Sequence, residues 1–242
     1  MTRPSSPEKA MVLAAGLGLR MRPITEKMPK PLIKIAGKPL LDWGLDALAW
    51  AGVGEAVVNV HYLPDQIRAH VASRTAPRVV ISDETAQLLD SAGGIVKALP
   101  ALGASPFFLV NADTFWIDGP DPDLSRLALA WDAEKMDMLL MLADPNSAVG
   151  HTGKTDFLLA DDGTLARSGG DERGLIYAGA AILDPALFRG ASLTPQSLNR
   201  YFDSAIGKRR LHGMKMKGQW ITVGTPDAIP AAEEAVAKAL RR

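Results

Sequence analysis

Met11 to Leu32 reads MVLAAGLGLRMRPITEKMPKPL, and the fold turns on how this stretch is understood. Ala10-Met11-Val12-Leu13 is a short apolar run of the kind that forms a buried strand. It breaks into a loop with two glycines, Gly16 and Gly18, and the loop delivers Arg20, Arg22 and Lys30 within one short segment. A buried strand feeding a small-residue loop exposes a row of backbone N–H groups that can cradle phosphate oxygens. The cations that follow can neutralise what those groups hold. The stretch therefore has the form of a nucleotide site.

Two common phosphate loops fail here. A P-loop requires G-x-x-x-x-G-K-[ST], but Met21, Arg22 and Pro23 stand where its second glycine, lysine and hydroxyl belong. A dinucleotide fingerprint requires G-x-G-x-x-G, and its third glycine is again Met21. The next strand, Ala56 to Val60, ends in Asn59-Val60-His61 and lacks a terminal acid to hold a ribose. The NAD and P-loop ATPase readings lose their basis.

Composition sets outer bounds. A chain of 242 residues can bury a sizeable single-domain core. Its 27 basic and 27 acidic residues cancel, against the basic surface that nucleic acids or anionic membranes select. The absence of cysteine excludes disulfides, a thiolate nucleophile and cysteine metal sites. No apolar run has the length of a membrane span. Residues 1–9 are polar and proline-punctuated, read as a flexible lead-in rather than a signal peptide, and a soluble cytoplasmic protein is expected. The four histidines show no metal-ligand spacing, and there is no G-x-S-x-G elbow.

In chain order, apolar residues at helical spacing from Leu40 to Trp50 predict a helix, and Ala56 to Val60 a strand. Pro64 opens a second helix through Val71, and Arg78-Val79-Val80-Ile81 is a third strand. This β-α-β-α-β order predicts a parallel sheet covered by helices, with binding loops at the carboxyl ends of its strands. Ser82 to Gly94 reads as a long loop ending in two glycines. Pro106 to Val110 is a continuous apolar run, hence a central strand, and it ends in Asn111-Ala112-Asp113. A carboxylate at that tip, facing the phosphate loop, is where a divalent cation would sit; magnesium favours one or two carboxylates with phosphates and water. A helix within Pro120 to Trp131 and a buried strand over Asp137 to Leu142 follow. Asp161-Asp162-Gly163 predicts a hairpin turn, and Gly174 to Leu183 a long strand. The section from Asp144 to Leu183 is expected to add strands near the end of the sheet. A helix around Leu198 to Ile206, a strand over Leu211 to Met214 and a last helix over Asp227 to Leu240 complete the chain.

Leu13-Ala14-Ala15-Gly16-Leu17-Gly18-Leu19-Arg20-Met21-Arg22-Pro23-Ile24-Thr25, followed by Pro29-Lys30-Pro31-Leu32, resembles the signature of the sugar-1-phosphate nucleotidyltransferases. The resemblance extends over Leu89-Asp90-Ser91-Ala92-Gly93-Gly94, over Asn111-Ala112-Asp113 and over Trp220 to Pro226, nearly the whole chain. It implies a Rossmann-like three-layer α/β/α fold with a mixed, mostly parallel central sheet. Residues 10–242 form a single domain on this reading: a nucleotide half over about 10–113, a sugar-phosphate half over about 114–225, and a C-terminal helix over 226–240.

The resemblance also implies a reaction and a site. A nucleoside triphosphate and a sugar 1-phosphate give a nucleotide sugar and pyrophosphate, with Mg²⁺ as cofactor. Leu13, Ala14, Ala15, Gly16, Gly18, Arg20, Lys30, Glu84 and Gly93 are the expected nucleotide-binding residues. Arg20, Lys30 and Asp113 are the expected catalytic residues, with Asp113 the metal ligand. Asn111, Gly153, Lys154, Asp156, Glu172 and Gly179 are expected on the sugar-phosphate side. Thr222 stands where the family pattern carries a second carboxylate ligand. Three readings stay open there: a metal held by Asp113 with phosphates and water, another carboxylate in substitution, or reduced activity. Within the family the motifs look most like the bacterial branch that transfers UMP from UTP to N-acetylmuramate 1-phosphate in peptidoglycan recycling. Guanylyl or thymidylyl transfer to mannose or glucose 1-phosphate is the alternative, and a catalytically weak nucleotide-sugar-binding protein is the alternative outside catalysis.

Overall fold

A computed structural model describes residues 6–241. Residues 1–5 of the expected lead-in lie outside the described residues. The chain opens with β1 (Lys9–Leu13), so the first strand takes in the last residue of that lead-in. The loop after it is shaped by short 3-10 turns and followed by a two-residue pair, β2 (Lys34–Ile35) and β3 (Lys38–Pro39). Helix α1 (Leu40–Trp50), β4 (Glu55–Val60), α2 (Pro64–Val71) and β5 (Arg78–Asp83) then complete the expected alternation.

Helix α3 (Asp90–Leu102) takes in the last residues of the stretch expected to be a loop through Gly94. The loop before it is correspondingly shorter, and Gly93 and Gly94 are helix-interior residues rather than a loop terminus. Strand β6 (Phe107–Asn111) is followed at once by β7 (Thr114–Ile117), a strand the sequence pattern did not announce. Helix α4 (Asp123–Ala130), β8 (Met138–Ala143), the hairpin β9 (Phe157–Leu159) and β10 (Leu165–Arg167), and β11 (Ile176–Leu183) come next. Helix α5 (Asn199–Gly207), β12 (Leu211–Lys215), β13 (Gln219–Thr222) and α6 (Ala228–Leu240) close the chain.

Seven strands form the central sheet in the order β12-β8-β11-β6-β1-β4-β5. Every pair in it is parallel except the two made by β11. The mixed, mostly parallel sheet expected from the resemblance is therefore present. The middle section differs from the expectation of strands added near the sheet's end. Strands β9 and β10 form a separate hairpin, and β11 enters the interior between β8 and β6. Its sequence, IYAGAAIL, is almost wholly apolar, as burial on both faces requires.

Residues on alternate sides of each strand feed two cores. Ala10 and Val12 of β1 and Phe108 and Val110 of β6 pack beneath Leu41 and Leu45 of α1, Ile67 of α2 and Leu127 of α4. Met11, Phe107 and Leu109 face the other way, against Ile95 and Ala98 of α3 and Phe202 of α5. These two cores give the three layers. A third cluster joins Val236 of α6 to Phe115 of β7, Ile221 of β13 and Met21 of the glycine loop.

Strands β7 and β13 pair antiparallel, with Thr222 opposite Thr114. The loop before β9 is pinned against them, since Val149 bridges Ile221. Gly150 has φ +76°, and a Cβ there would fall on the Thr222 carbonyl oxygen. A left-handed conformation and a backbone contact both exclude a side chain. We expect Gly150→Ala to cost about 2 kcal/mol or more, or about 4–8 °C in Tm for a chain of this size. Thermal unfolding checks it; a wild-type midpoint would show that the loop does not need this close approach.

Candidate active site

Parallel pairing places Leu13 beside Asn111. The β1 loop and the Asn111-Ala112-Asp113 tip therefore leave the sheet side by side at its carboxyl edge. The Ala112 N–H continues the ladder for one step, donating to the Leu13 carbonyl at 3.1 Å.

The loop is closed by its own residues. Gly18 is left-handed at φ +64°, and the Thr25 hydroxyl donates to the Gly18 carbonyl at 2.8 Å. A Cβ on Gly18 would lie 2.9 Å from Thr25 Cγ2 and 3.2 Å from Lys30 Cβ. The glycine thus lets the loop fold onto the stem of Lys30. The lysine is buried, and its Nζ donates to Asp113 Oδ2 at 2.7 Å. The two residues are 83 positions apart in the chain, and their meeting joins the signature loop to the β6 tip.

Two adjoining volumes make up the cleft. One, of about 350 Å³, is lined by the Leu13 to Gly16 segment, Asn59, Asp90, Ser91 and Asn111. The other, of about 460 Å³, is lined by the loop from Leu17 to Met21 and by Gly224. Lys30, Leu88 and Asp113 border both. Arg20 is exposed, and its guanidinium lies over Gly224, where a Cβ would be 3.5 Å from Nη1.

Leu13, Ala14, Ala15, Gly16, Gly18, Arg20 and Lys30 of the expected nucleotide side meet here, while Glu84 and Gly93 take other positions. Glu84 has no exposed surface. Its Oε1 accepts from Asn59 Nδ2 at 2.7 Å and its Oε2 from the Leu89 N–H at 3.1 Å. The carboxylate therefore stands one layer behind the cleft wall. Gly93 is packed against the 192–198 segment, where a Cβ would lie 2.5 Å from the Thr194 carbonyl oxygen. Asn59 is the residue the sequence reading passed over. It is 2% exposed, and its Oδ1 accepts from the Ala14 N–H at 2.7 Å. Its signal was visible: a polar residue near the end of an otherwise apolar parallel strand.

The sugar-side expectations divide. Gly179, at φ +76°, lies against the site, since a Cβ there would be 2.7 Å from Thr114 Oγ1 and 3.1 Å from Asn111 Nδ2. Asp156 accepts the Tyr177 N–H at 2.8 Å and so ties its loop to β11, two residues before Gly179. Burial pushes the Tyr177 phenol up, because the ionised form would be desolvated beside Asp156. Gly153 packs on the His151 ring, which lies 5.7 Å from Trp220 between centroids. Lys154 and Glu172 are exposed and make no side-chain hydrogen bond or ion pair among the described residues.

Thr222 sits as the motif alignment requires. It pairs with Thr114, the neighbour of Asp113, and the Val223 N–H donates to the Asp113 carbonyl at 3.3 Å. Among the described residues no cluster of three or more His, Asp or Glu side chains is placed to hold a metal. The donor set at this point is one carboxylate, Asp113, with a hydroxyl-bearing strand beside it. That set fits magnesium when substrate phosphates and water complete the shell.

A glycine loop, a buried lysine and a strand-tip carboxylate meet around one cleft, and the class they point to is a nucleotidyltransferase. The chain belongs to the MobA-like NTP transferase family, whose domain model matches residues 10–187. It is 42% identical over 239 residues to the N-acetylmuramate alpha-1-phosphate uridylyltransferase of Caulobacter vibrioides, covering 97% of this chain and 99% of that one. The enzyme of the same name from Neisseria meningitidis is 36% identical over 225 residues, covering 90% and 93%. In structure the chain is similar to the inositol-1-phosphate CTP transferase of T. maritima, with a TM-score of 0.80, 16% identity, and 97% and 96% coverage. That last likeness is one of fold.

Gly18→Ala should force the loop off Thr25 and Lys30 together. We expect nucleoside triphosphate affinity to fall about tenfold, the scale of 1–2 kcal/mol of left-handed strain. Calorimetric titration measures it; unchanged affinity would mean that the loop's closure on Lys30 is irrelevant to binding.

Proposed function

We propose that this protein transfers UMP from UTP to N-acetylmuramate 1-phosphate, giving the UDP-sugar and pyrophosphate. The 2.7 Å meeting of Lys30 with Asp113 in the cleft is the observation that carries the reading. The extent of the similarity to the two uridylyltransferases supports the choice of base and sugar.

The chemistry follows from charge. A sugar phosphate oxygen attacks the α-phosphorus, a new P–O bond forms, and the bond to the bridging oxygen of the β-phosphate breaks. Pyrophosphate leaves with that electron pair. The attacking phosphate is already ionised near neutral pH, so no general base is needed. Mutual repulsion of two anions is the main obstacle, and oriented donors and cations answer it. On our reading, N–H groups around Gly16 and Gly18, with Arg20, hold the β- and γ-phosphates. Lys30 neutralises charge at the α-phosphate. Asn111 and Gly179 border the sugar phosphate, and Asp156 holds the adjoining strand. A magnesium ion at Asp113 would supply Lewis-acid withdrawal of charge from phosphate oxygens.

Lys30 serves two partners in this scheme. Without substrate its charge is satisfied by Asp113, which keeps a buried ammonium from standing alone. With substrate, phosphate oxygens compete for the same ammonium, and Asp113 would be the residue left to hold the metal. We place the enzyme in the cytoplasm, in the recycling of peptidoglycan sugars; no helix among the described residues is long and apolar enough to cross a membrane.

A matrix of nucleoside triphosphates against sugar 1-phosphates, read by pyrophosphate release with magnesium, tests the assignment. UTP with N-acetylmuramate 1-phosphate should turn over fastest. A faster guanylyl or thymidylyl reaction would move the protein to another branch, and no turnover with retained UTP binding would make it a binding protein. Asp113→Ala should lower kcat by about 10²-fold or more and abolish the magnesium dependence. Wild-type magnesium dependence in that variant would dismiss Asp113 as the anchor.

A further inference from the structure

A chain of hydrogen bonds runs behind the wall of the cleft. The Ala14 N–H donates to Asn59 Oδ1, Asn59 Nδ2 donates to Glu84 Oε1, and the Leu89 N–H donates to Glu84 Oε2. His61 Nδ1 lies 2.7 Å from the Glu84 carbonyl, which can only accept, so that nitrogen carries the proton. Asn59 is held in one orientation, because an N–H faces it on one side and a carboxylate on the other.

The cost of this arrangement shows that it is more than filling. Glu84 is wholly buried, and no cation pairs with it among the described residues. A buried carboxylate is retained only where several donors answer it. Helix α3 gives up side-chain volume for it: a Cβ on Gly94 would lie 2.7 Å from Glu84 Oε1 and 2.8 Å from Asn59 Nδ2. Glycine in a helix interior is unfavourable relative to alanine, so the relay outweighs local preference here.

Its two ends reach two segments that line the 350 Å³ volume: Ala14, at the end of β1, lines it directly, and Leu89 stands between Leu88 and Asp90, which line it too. Arg20 and the glycine loop line the other volume, the phosphate end. We propose that Asn59 and Glu84 are positioning residues for base selection, clamping at a fixed spacing the two walls that receive the nucleobase. This rests on the nucleotidyl-transfer reading above.

The pattern of donors and acceptors supplies the test. Asn59→Asp removes the donor facing Glu84, so two carboxylates meet. Glu84→Gln leaves a donor against a donor, whichever way the new amide turns. The double variant restores an unbroken chain with its middle bond reversed, at the same net charge. Each single variant should raise the KM for UTP about tenfold, the scale for one buried donor left unanswered. Each should also narrow the preference for UTP over CTP, while the KM for the sugar phosphate stays within about twofold. The double variant should recover both. A single variant with wild-type KM and base preference, or a double that folds and stays as impaired as the worse single, overturns the proposal. So does a double variant that fails to fold.

Amide hydrogen exchange separates this from the function itself. The Ala14 and Leu89 amides should exchange faster in each single variant and slow again in the double. If the wild type takes no nucleotide, the transfer reading falls and exchange alone decides the relay; unchanged exchange rates in the single variants overturn it.

Discussion

The parallel pairing of β6 with β1 is the constraint on which the rest depends. It brings Leu13 level with Asn111, so the phosphate loop and Asp113 emerge at one edge although they stand far apart in the chain. Parallel strands end at the same side, and their loops meet there without further design. What pairing alone leaves loose, the Lys30–Asp113 contact fixes. A lysine with only 10% of its side chain exposed needs a partner, and the strand-tip carboxylate is in reach. Thr25 and Gly18 then hold the loop that carries Lys30 into place.

The nucleotide half of the fold was legible because its elements are governed by local pattern. Runs such as Met11-Val12-Leu13 and Phe107 to Val110 are apolar on both faces, and Leu41, Leu45 and Leu48 recur at helical spacing. Later parts of the chain obey longer-range rules. Strand β11 reads as a strand, yet nothing in its composition says that it runs antiparallel in the sheet interior. That placement is decided by its register with β6 and β8. Strand β7 escaped notice because Thr114 to Ile117 is short and follows another strand at once; it exists because β13 returns to pair with it. The loop before α3 was read too long because two adjacent glycines usually mark a loop. Here both are set inside the helix by close neighbours, the Thr194 carbonyl and the Glu84 carboxylate.

The site was legible to the extent that chemistry demands fixed residue types at fixed spacing. Gly18, Lys30 and Asp113 belong to such motifs, and folding brings them together. Asn59 has no such spacing rule; it matters because of what it touches on two other segments. Glu84 could be named from sequence but not located, since exposure depends on how α3 packs. Lys154 and Glu172 lie at the other extreme. Both are charged residues in a plausible region, and folding leaves them in solvent away from any partner among the described residues.

A protein with no net charge can still gather two anionic substrates if its cations are unevenly engaged. Much of the surface charge here is already spent. Arg68 pairs with Asp65 and Asp83, Arg167 with Asp203, Arg209 with Asp162, and Lys215 with Asp144. Such exposed pairs add little stability, but they cancel the field that each cation would cast. The signature loop is arranged differently. Arg20 and Arg22 have no carboxylate partner among the described residues, and the partner of Lys30 is Asp113, which faces the cleft. Arg20 is thereby left as a cation lining the cleft without a carboxylate partner among the described residues. The same economy bears on Thr222. A second carboxylate beside Asp113 would oppose that charge before any metal arrived. A neutral hydroxyl leaves the loop's charge undiminished, and on the proposed function a dication would rest on Asp113 and the substrate's own phosphates.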